Sequence, residues 1–417
     1  MSKLSTVKGT KDLLGDEIFA YDKICEIFSN ICKFLGYEKI STPILEHSDV
    51  FLKSLGVTSD IISKEMYSFT DQGGDNLVLR PEGTAAISRA LITNSLQENL
   101  VQKYFYLGPM FRRERPQSGR LRQFHQIGIE FLGKNNFLND VEVIMIAEKL
   151  IVLLDLKKKV HLEINTLGNT SSRREYLKVL VKFLKKNESE LSNESKRRLK
   201  TNPLRILDSK DPKDIKIREC APRIFEYLDK ESKDFFEKTL DGLKKLKINF
   251  ILNPFLVRGL DYYNHTTFEY ITNDKKSQNA ILAGGRYDGL VKSLGGNDIG
   301  GVGWAAGIER IVLNAKRFEE EKNLISFFAT SEKFNTNLLN LINELKLVES
   351  ISVNFISSGN LKKKFSKANK LNSKGCIILG EDEWKEKNLI WKDFRSGTQE
   401  VFPANDIQNF ISKIFFS

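Results

Sequence analysis

Between Gly108 and Glu130 the chain reads Gly-Pro-Met-Phe-Arg-Arg-Glu-Arg-Pro-Gln-Ser-Gly-Arg-Leu-Arg-Gln-Phe-His-Gln-Ile-Gly-Ile-Glu. Pro116-Gln-Ser-Gly119 is turn sequence, and extended sequence flanks it on both sides, so the segment predicts an antiparallel hairpin. Side chains alternate faces along a strand. On the second strand Arg120, Arg122, Phe124, Gln126 and Glu130 therefore share a face, with a gap at Gly128. Arg112 and Glu114 share one on the first strand. A face that mixes cations, an aromatic ring and hydrogen-bonding groups is a poor core face, because buried polar groups need partners. It suits a ligand with phosphates, a flat base and a polar side chain. Taken alone, the segment also fits an exposed hairpin laced with surface ion pairs.

The surrounding rhythm limits the fold. Ile18, Tyr21, Ile24, Ile27, Phe28, Ile31 and Leu35 recur at helical spacing, and Gly36 ends that pattern. Strand-like runs follow at 38–45, 66–70, 77–80 and 104–107, with a turn over 71–76. Strands in quick succession predict an antiparallel sheet. Residues 171–247 are charged and helix-forming, which predicts a helical insertion. Strand and glycine texture returns from Asn253 to Arg310. Beyond about 323 the chain alternates strand 325–329, helix 333–346, strand 351–356, helix 361–371 and strand 376–379, the pattern of a small α/β domain with a mainly parallel sheet.

Composition narrows the class of function. The net charge is +11, and residues 171–247 alone hold 22 Lys and Arg against 14 Asp and Glu. Such a field favours a polyanionic partner such as nucleic acid, although a solvated lysine-rich surface has the same composition. The lysines at 362–364, 367 and 370 lie on one predicted helix and suit RNA contact, or simple solvation. Four cysteines make no disulfide framework, and Cys25 and Cys32, seven apart on one helix, read as core rather than zinc ligands. No run is long and apolar enough for a membrane span, and the first residues carry no apolar signal region, so a cytoplasmic protein is expected.

Three more segments carry unusual chemistry. Leu256-Val-Arg-Gly-Leu-Asp-Tyr-Tyr263 sets an arginine and two tyrosines beside a glycine, and Ala283-Gly-Gly-Arg-Tyr-Asp-Gly289 is glycine-rich. Gly303-Trp-Ala-Ala-Gly-Ile-Glu-Arg310 reads as a glycine-rich strand entering a helix. Arg112, Arg258 and Arg310 thus come from distant parts of the chain, as a triphosphate and its developing charge require. Two weaker signals are set aside. Gly128-x4-Gly133-Lys134 lacks the Ser or Thr of a P-loop, and Gly301-Val-Gly303 has no hydrophobic strand before it.

Together these segments resemble the motifs of class II aminoacyl-tRNA synthetases, in the version carried by histidyl-tRNA synthetases. Gly36–Gly56, with Pro43, resembles motif 1; residues 108–130 resemble motif 2; Gly303–Arg310 resembles motif 3. Segments 256–263 and 283–289 are similar to the two histidine signatures, Leu79-Arg-Pro-Glu-Gly-Thr84 to the amino-acid loop, and Ile378–Glu383 to part of the anticodon-binding domain.

The resemblance implies an α+β catalytic domain built on an antiparallel sheet, its two parts at 1–170 and 248–322. A helical insertion at 171–247 and a C-terminal α/β anticodon-binding domain at 323–417 complete the expected plan. It implies ATP-dependent activation of L-histidine and transfer to the 3′ end of tRNA(His), releasing AMP and pyrophosphate. ATP enters as a substrate with Mg2+; no prosthetic group and no metal held by protein ligands alone are expected, and the family is homodimeric.

By the same resemblance Arg112, Arg258 and Arg310 are catalytic. Arg112 holds the α-phosphate and Arg258 stabilises charge there, Glu114 takes the adenine amino group, Phe124 stacks under adenine, Arg120 assists at the outer phosphates, and Arg310 lies over the adenine or at the γ-phosphate. Glu82 and Thr84 bind the histidine ammonium, and Gln126 its carboxylate or nearby atoms. Glu130 and Tyr263 read the imidazole nitrogens, Tyr262 and Tyr287 line the pocket, and Arg115 and Gln117 approach the tRNA acceptor end. Two alternatives remain: a non-catalytic paralogue such as a regulatory subunit of histidine biosynthesis, and an RNA-binding module on the same fold.

Overall fold

The computed structural model describes residues 4–56, 59, 61–98, 101–115, 119–274, 280–318, 323–346 and 351–416, and the chain divides into two compact units, Met1–Phe318 and Glu319–Ser417. Among the described residues, eleven strands belong to the first unit. In chain order they are β1 (Glu38–Lys39), β2 (Leu45–His47), β3 (Tyr67–Thr70), β4 (Asn76–Leu79), β5 (Val101–Phe111), β6 (Gln123–Gly133), β7 (Val160–Thr166), β8 (Ile251–Leu252), β9 (Asn264–Thr272), β10 (Ala280–Arg286) and β11 (Gly300–Gly307). Eight of them form one sheet in the order β1-β5-β6-β11-β10-β9-β7-β8. The inner six are antiparallel throughout, and only the short edge strands β1 and β8 pair in parallel. A small antiparallel sheet, β2-β4-β3, stands beside it. The predicted strand over 38–45 is thus two short ones; Pro43 between them has no N–H to give to a ladder.

Alternation gives the large sheet two different faces. Phe105, Ile127, Ile129 and Trp304 point to one side, against Ile24 and Phe28 of helix Asp16–Phe34 and Val143, Ile144 and Ala147 of helix Phe137–Leu153. Trp304 Nε1 donates to the Val143 carbonyl at 3.0 Å, so the largest core side chain also has its polar atom paired. Each such fully buried side chain contributes about 1.5–3 kcal/mol. The opposite face, with Tyr104, Tyr106, Met110, Tyr263 and Tyr287, carries the site. Cys32 is buried in the first core and Cys25 packs at its rim, where burial pushes its thiol up to about 11.

The charged stretch folds as helices Thr170–Lys186, Asn193–Thr201, Pro212–Glu219 and Lys230–Lys245. Each starts after a residue whose side chain accepts a backbone N–H of the first turn: Asn169, Ser192, Asp211 and Asp229. Leu180, Leu184 and Leu199 from these helices join the second core, so the segment is docked through apolar residues despite its charge.

The second unit is a five-stranded sheet of β12 (Leu324–Ala329), β13 (Ser352–Phe355), β14 (Gly375–Leu379), β15 (Asn388–Asp393) and β16 (Gln399–Pro403), in the order β13-β12-β14-β15-β16. β12 pairs in parallel with β13 and β14, but β15 and β16 add on antiparallel. The sheet is therefore mixed rather than mainly parallel, because a terminal hairpin extends the alternating part. On helix Leu361–Lys370 the lysines at 362, 363, 367 and 370 are exposed, whereas Lys364 is buried and donates to the Ala329 carbonyl at 2.7 Å. Lys364 thus leaves the expected basic face. Among the described residues no helix is long and apolar enough to cross a membrane, and no three His, Cys, Asp or Glu side chains converge as metal ligands.

Candidate active site

On the second face of the large sheet lies a cavity of about 810 Å³, and Glu82, Thr84, Arg112, Glu114, Arg120, Phe124, Gln126, Arg258, Tyr262, Tyr263 and Arg310 all line it. These residues come from the loop after β4 and the start of the helix that follows it, from the connection between β5 and β6, from β6, from the segment before β9 and from the helix after β11. The register explains their meeting: β6 pairs with β5 on one side and β11 on the other, so hairpin and Arg310 helix are neighbours in the sheet.

At one end the cavity is cationic. Arg112 Nε donates to the Pro81 carbonyl at 2.9 Å, and its guanidinium carbon lies 5.3 Å from the centre of the Phe124 ring. Arg120 pairs with Glu114 at 3.4 Å. Arg310 is held by the carbonyls of Ala280 (2.8 Å) and Gly119 (3.3 Å). Burial lowers its pKa, and the positive charges of Arg120 and Arg112 lower it further, although Glu114 opposes them. Three guanidiniums within electrostatic reach, only one of them paired with a carboxylate at that end among the described residues, favour an anion between them.

Arg258 differs. It forms an ion pair with Glu269 of β9, and its guanidinium also lies 5.2 Å from the Tyr263 ring centre. Burial pulls the Arg258 pKa down, but Glu269 outweighs it and the net shift is upward. Glu269 is itself pushed up by burial and drawn back by Arg258. This partner was missing from the sequence reading. Its signal was present: in Phe268-Glu-Tyr-Ile271 the two aromatics face the first core, so a carboxylate must face the cavity.

The other end is acidic and aromatic. Glu130, 1% exposed, lies behind the cavity wall and accepts hydrogen bonds from the Thr84 hydroxyl (2.6 Å) and the Tyr287 hydroxyl. Burial pushes its carboxyl up to about 8, the two hydroxyls pull it back, and the Glu82 charge adds to the rise. Tyr262 packs against Tyr263 and Tyr287 at ring separations of 4.6 and 5.8 Å. Glu82 accepts the backbone N–H groups of Thr84 (2.7 Å) and Ala85 (2.9 Å), capping helix Thr84–Thr93. Arg80 fixes the same loop through the carbonyls of Thr42 (2.7 Å) and Pro109 (3.0 Å).

Some expected placements change. Regular strand begins only at Gln123, and Arg122 turns from the cavity to the Glu114 carbonyl. Arg115 is exposed, and Gln117 lies outside the described residues. Arg286, inside the second signature, is not a ligand group: it is fully buried against Asp140, Asp288 and Asn135. The charged stretch also reaches the cavity, through Asp208, Lys210 and Arg218, which the sequence reading did not place there.

The family model for histidyl-tRNA synthetase matches residues 9–311. The histidine–tRNA ligase of Rhodospirillum rubrum is 43% identical over 99% of this chain and 100% of its own length. That of Wolbachia pipientis from Culex pipiens is 44% identical over 95% and 97%. The crystal structure of apo histidyl-tRNA synthetase from S. aureus superposes with a TM-score of 0.81 at 30% identity, covering 98% of this chain and 100% of that one. An ATP phosphoribosyltransferase regulatory subunit/histidyl-tRNA synthetase from Bacillus halodurans shares the fold at 21% identity and a TM-score of 0.64, over 90% and 98%. With the motifs, the fold and full-length relatives in agreement, the chain belongs to the histidyl-tRNA synthetase family.

Proposed function

We propose that this chain is a histidine–tRNA ligase: it activates L-histidine with ATP to histidyl-adenylate and passes the histidyl group to the 3′ end of tRNA(His), releasing AMP and pyrophosphate. The observation that carries this reading is a single cavity with three guanidiniums at one end and, behind its wall at the other, a buried carboxylate held between two hydroxyls. The first end suits a triphosphate, the second a small ring with N–H groups. The histidine carboxylate attacks the α-phosphorus in line, and pyrophosphate leaves. No covalent bond to the enzyme forms, so the work is positioning and charge stabilisation.

In this reading Arg112 and Arg258 hold the α-phosphate, Arg120 and Arg310 the outer phosphates, and Phe124 and Glu114 the adenine. Glu82, Thr84 and Gln126 hold the amino-acid backbone, while Glu130 and Tyr263 meet the imidazole, with Tyr262 and Tyr287 around it. Arg258 must loosen its pairing with Glu269 as phosphate charge develops. Mg2+ enters with ATP, its oxygen ligands coming from the phosphates and water. Arg115 and Gln117 contact the tRNA acceptor end. The segment 171–247 acts as an insertion beside the acceptor stem, and 323–417 reads the anticodon. Two copies associate through the motif 1 region, whose Ile44, Leu45 and Leu52 are exposed in the single chain. The cytoplasm, where charged tRNA is used, is its place of action.

Pyrophosphate exchange into ATP tests the reading directly. We expect exchange that depends on histidine, followed by charging of tRNA(His) alone among purified tRNAs. Exchange that ignores histidine, or none at all, would reject the reading and favour a regulatory paralogue.

A further inference from the structure

The ligand-facing side of β6 has a gap at Gly128, between Gln126 and Glu130, and the neighbouring strand fills it. Tyr106 of β5 pairs in register with Gly128. A Cβ at Gly128 would stand 2.5 Å from Tyr106 Cζ and 2.6 Å from its hydroxyl oxygen. Gly83, on the loop that bears Glu82 and Thr84, fits the same ring: a Cβ there would stand 2.5 Å from Tyr106 Cε2 and 2.9 Å from the hydroxyl. Two glycines from separate elements therefore make room for one phenol as far as its oxygen.

The Tyr106 side chain is 5% exposed, and its hydroxyl has no hydrogen-bond partner among the described protein groups. A phenylalanine would fill the same space without stranding a polar atom, and a stranded hydroxyl is destabilising. Burial holds its proton tightly, the negative charges of Glu130 and Glu82 add to this, and the Arg80 guanidinium opposes them. On the same face Gln126 Oε1 is also buried with no protein partner. Gln126 and Glu82 line the cavity, whereas Tyr106, like Glu130, stands behind its wall; two unpartnered oxygens on one face suit N–H donors.

We propose that the Tyr106 hydroxyl is a specificity-determining contact, accepting a hydrogen bond from an N–H of the bound amino acid; this rests on the histidine ligase reading above. The phenol then pays in the empty protein for a bond made only with substrate.

Tyr106→Phe tests this, because the two roles open to the hydroxyl predict opposite signs. With calorimetric titration in the absence of ATP, we expect the variant to bind histidine at least about tenfold more weakly, the equivalent of one lost hydrogen bond, and ATP within about twofold of wild type. Its thermal midpoint without ligands should match or exceed that of wild type. Unchanged histidine affinity in the variant overturns the proposal, and so does a lowered ligand-free midpoint, which would make the hydroxyl structural. Wild-type protein that binds no histidine would instead sink the ligase reading itself, whatever the variant does.

Discussion

Glu130 is a carboxyl shut away from water beside a second acid, Glu82, and its proton is held accordingly. Its ordinary value is 4.5, and in the fold burial first, then Glu82, push it up to about 8. A folded chain that binds this proton more tightly than the unfolded chain gains stability from it. The gain is complete at pH values below about 4.5 and is lost as pH rises through about 8. Denaturant midpoints of the ligand-free protein should fall with pH across that window, by up to about 1.4 kcal/mol per unit. Glu130→Gln should flatten the profile. Superimposable wild-type and variant profiles would refute the assignment. That Arg112, Phe124, Gln126, Arg258 and Arg310 line one cavity was legible from strand parity and glycine-marked arginines, whereas Glu82 and Thr84 came in through the family resemblance. The Arg258–Glu269 pair and the filling of Gly128 by Tyr106 were not, since both depend on which strand lies alongside, and parity within one strand is silent on that.

At the scale of elements, the loop between β8 and β9 is the most exacting piece of the cavity, since it presents Arg258, Tyr262 and Tyr263. It is held from the charged helical stretch. Arg173, on helix Thr170–Lys186, donates through a single Nη1 to the carbonyls of Asp261 and Tyr263, both at 3.0 Å, and Asn202 donates to the Asp261 carboxylate at 2.7 Å. Arg173→Met should therefore raise KM for histidine about tenfold or more and leave KM for ATP within about twofold. Because one nitrogen serves both carbonyls, Arg173→Lys should recover part of the loss. A parallel rise in both KM values would mean general loosening instead. The helices of this stretch could be read from composition and caps, and their docking could not. The terminal hairpin β15–β16 was missed although Leu389 and Trp391 alternate inward, because the apolar Ile390 between them blurs the period-two signal.

For the whole molecule the net charge of +11 is the dominant long-range property. If tRNA is held by lysines and arginines on phosphates, its affinity should fall at least about tenfold between roughly 50 and 200 mM salt. Histidine binding, which neutralises no phosphates, should change little. A flat salt profile for tRNA would remove phosphate contacts from the account. Here the sequence was informative about sign and about the segment that carries the excess, but it could not show that Lys364 turns inward.

The order β5-β6-β11-β10-β9-β7 has a consequence for how the protein is made. Glu130 is flanked by Tyr104, already present, and by Gly303, which a ribosome has yet to add. At usual elongation rates that wait is on the order of ten seconds or more. Through it, a nascent β6 keeps one backbone edge open, with Ile127, Ile129 and Phe131 along it. Newborn copies thus pass through a sticky adolescence, and neither substrate can shelter them, because the pocket closes only after the strand at 300–307 arrives.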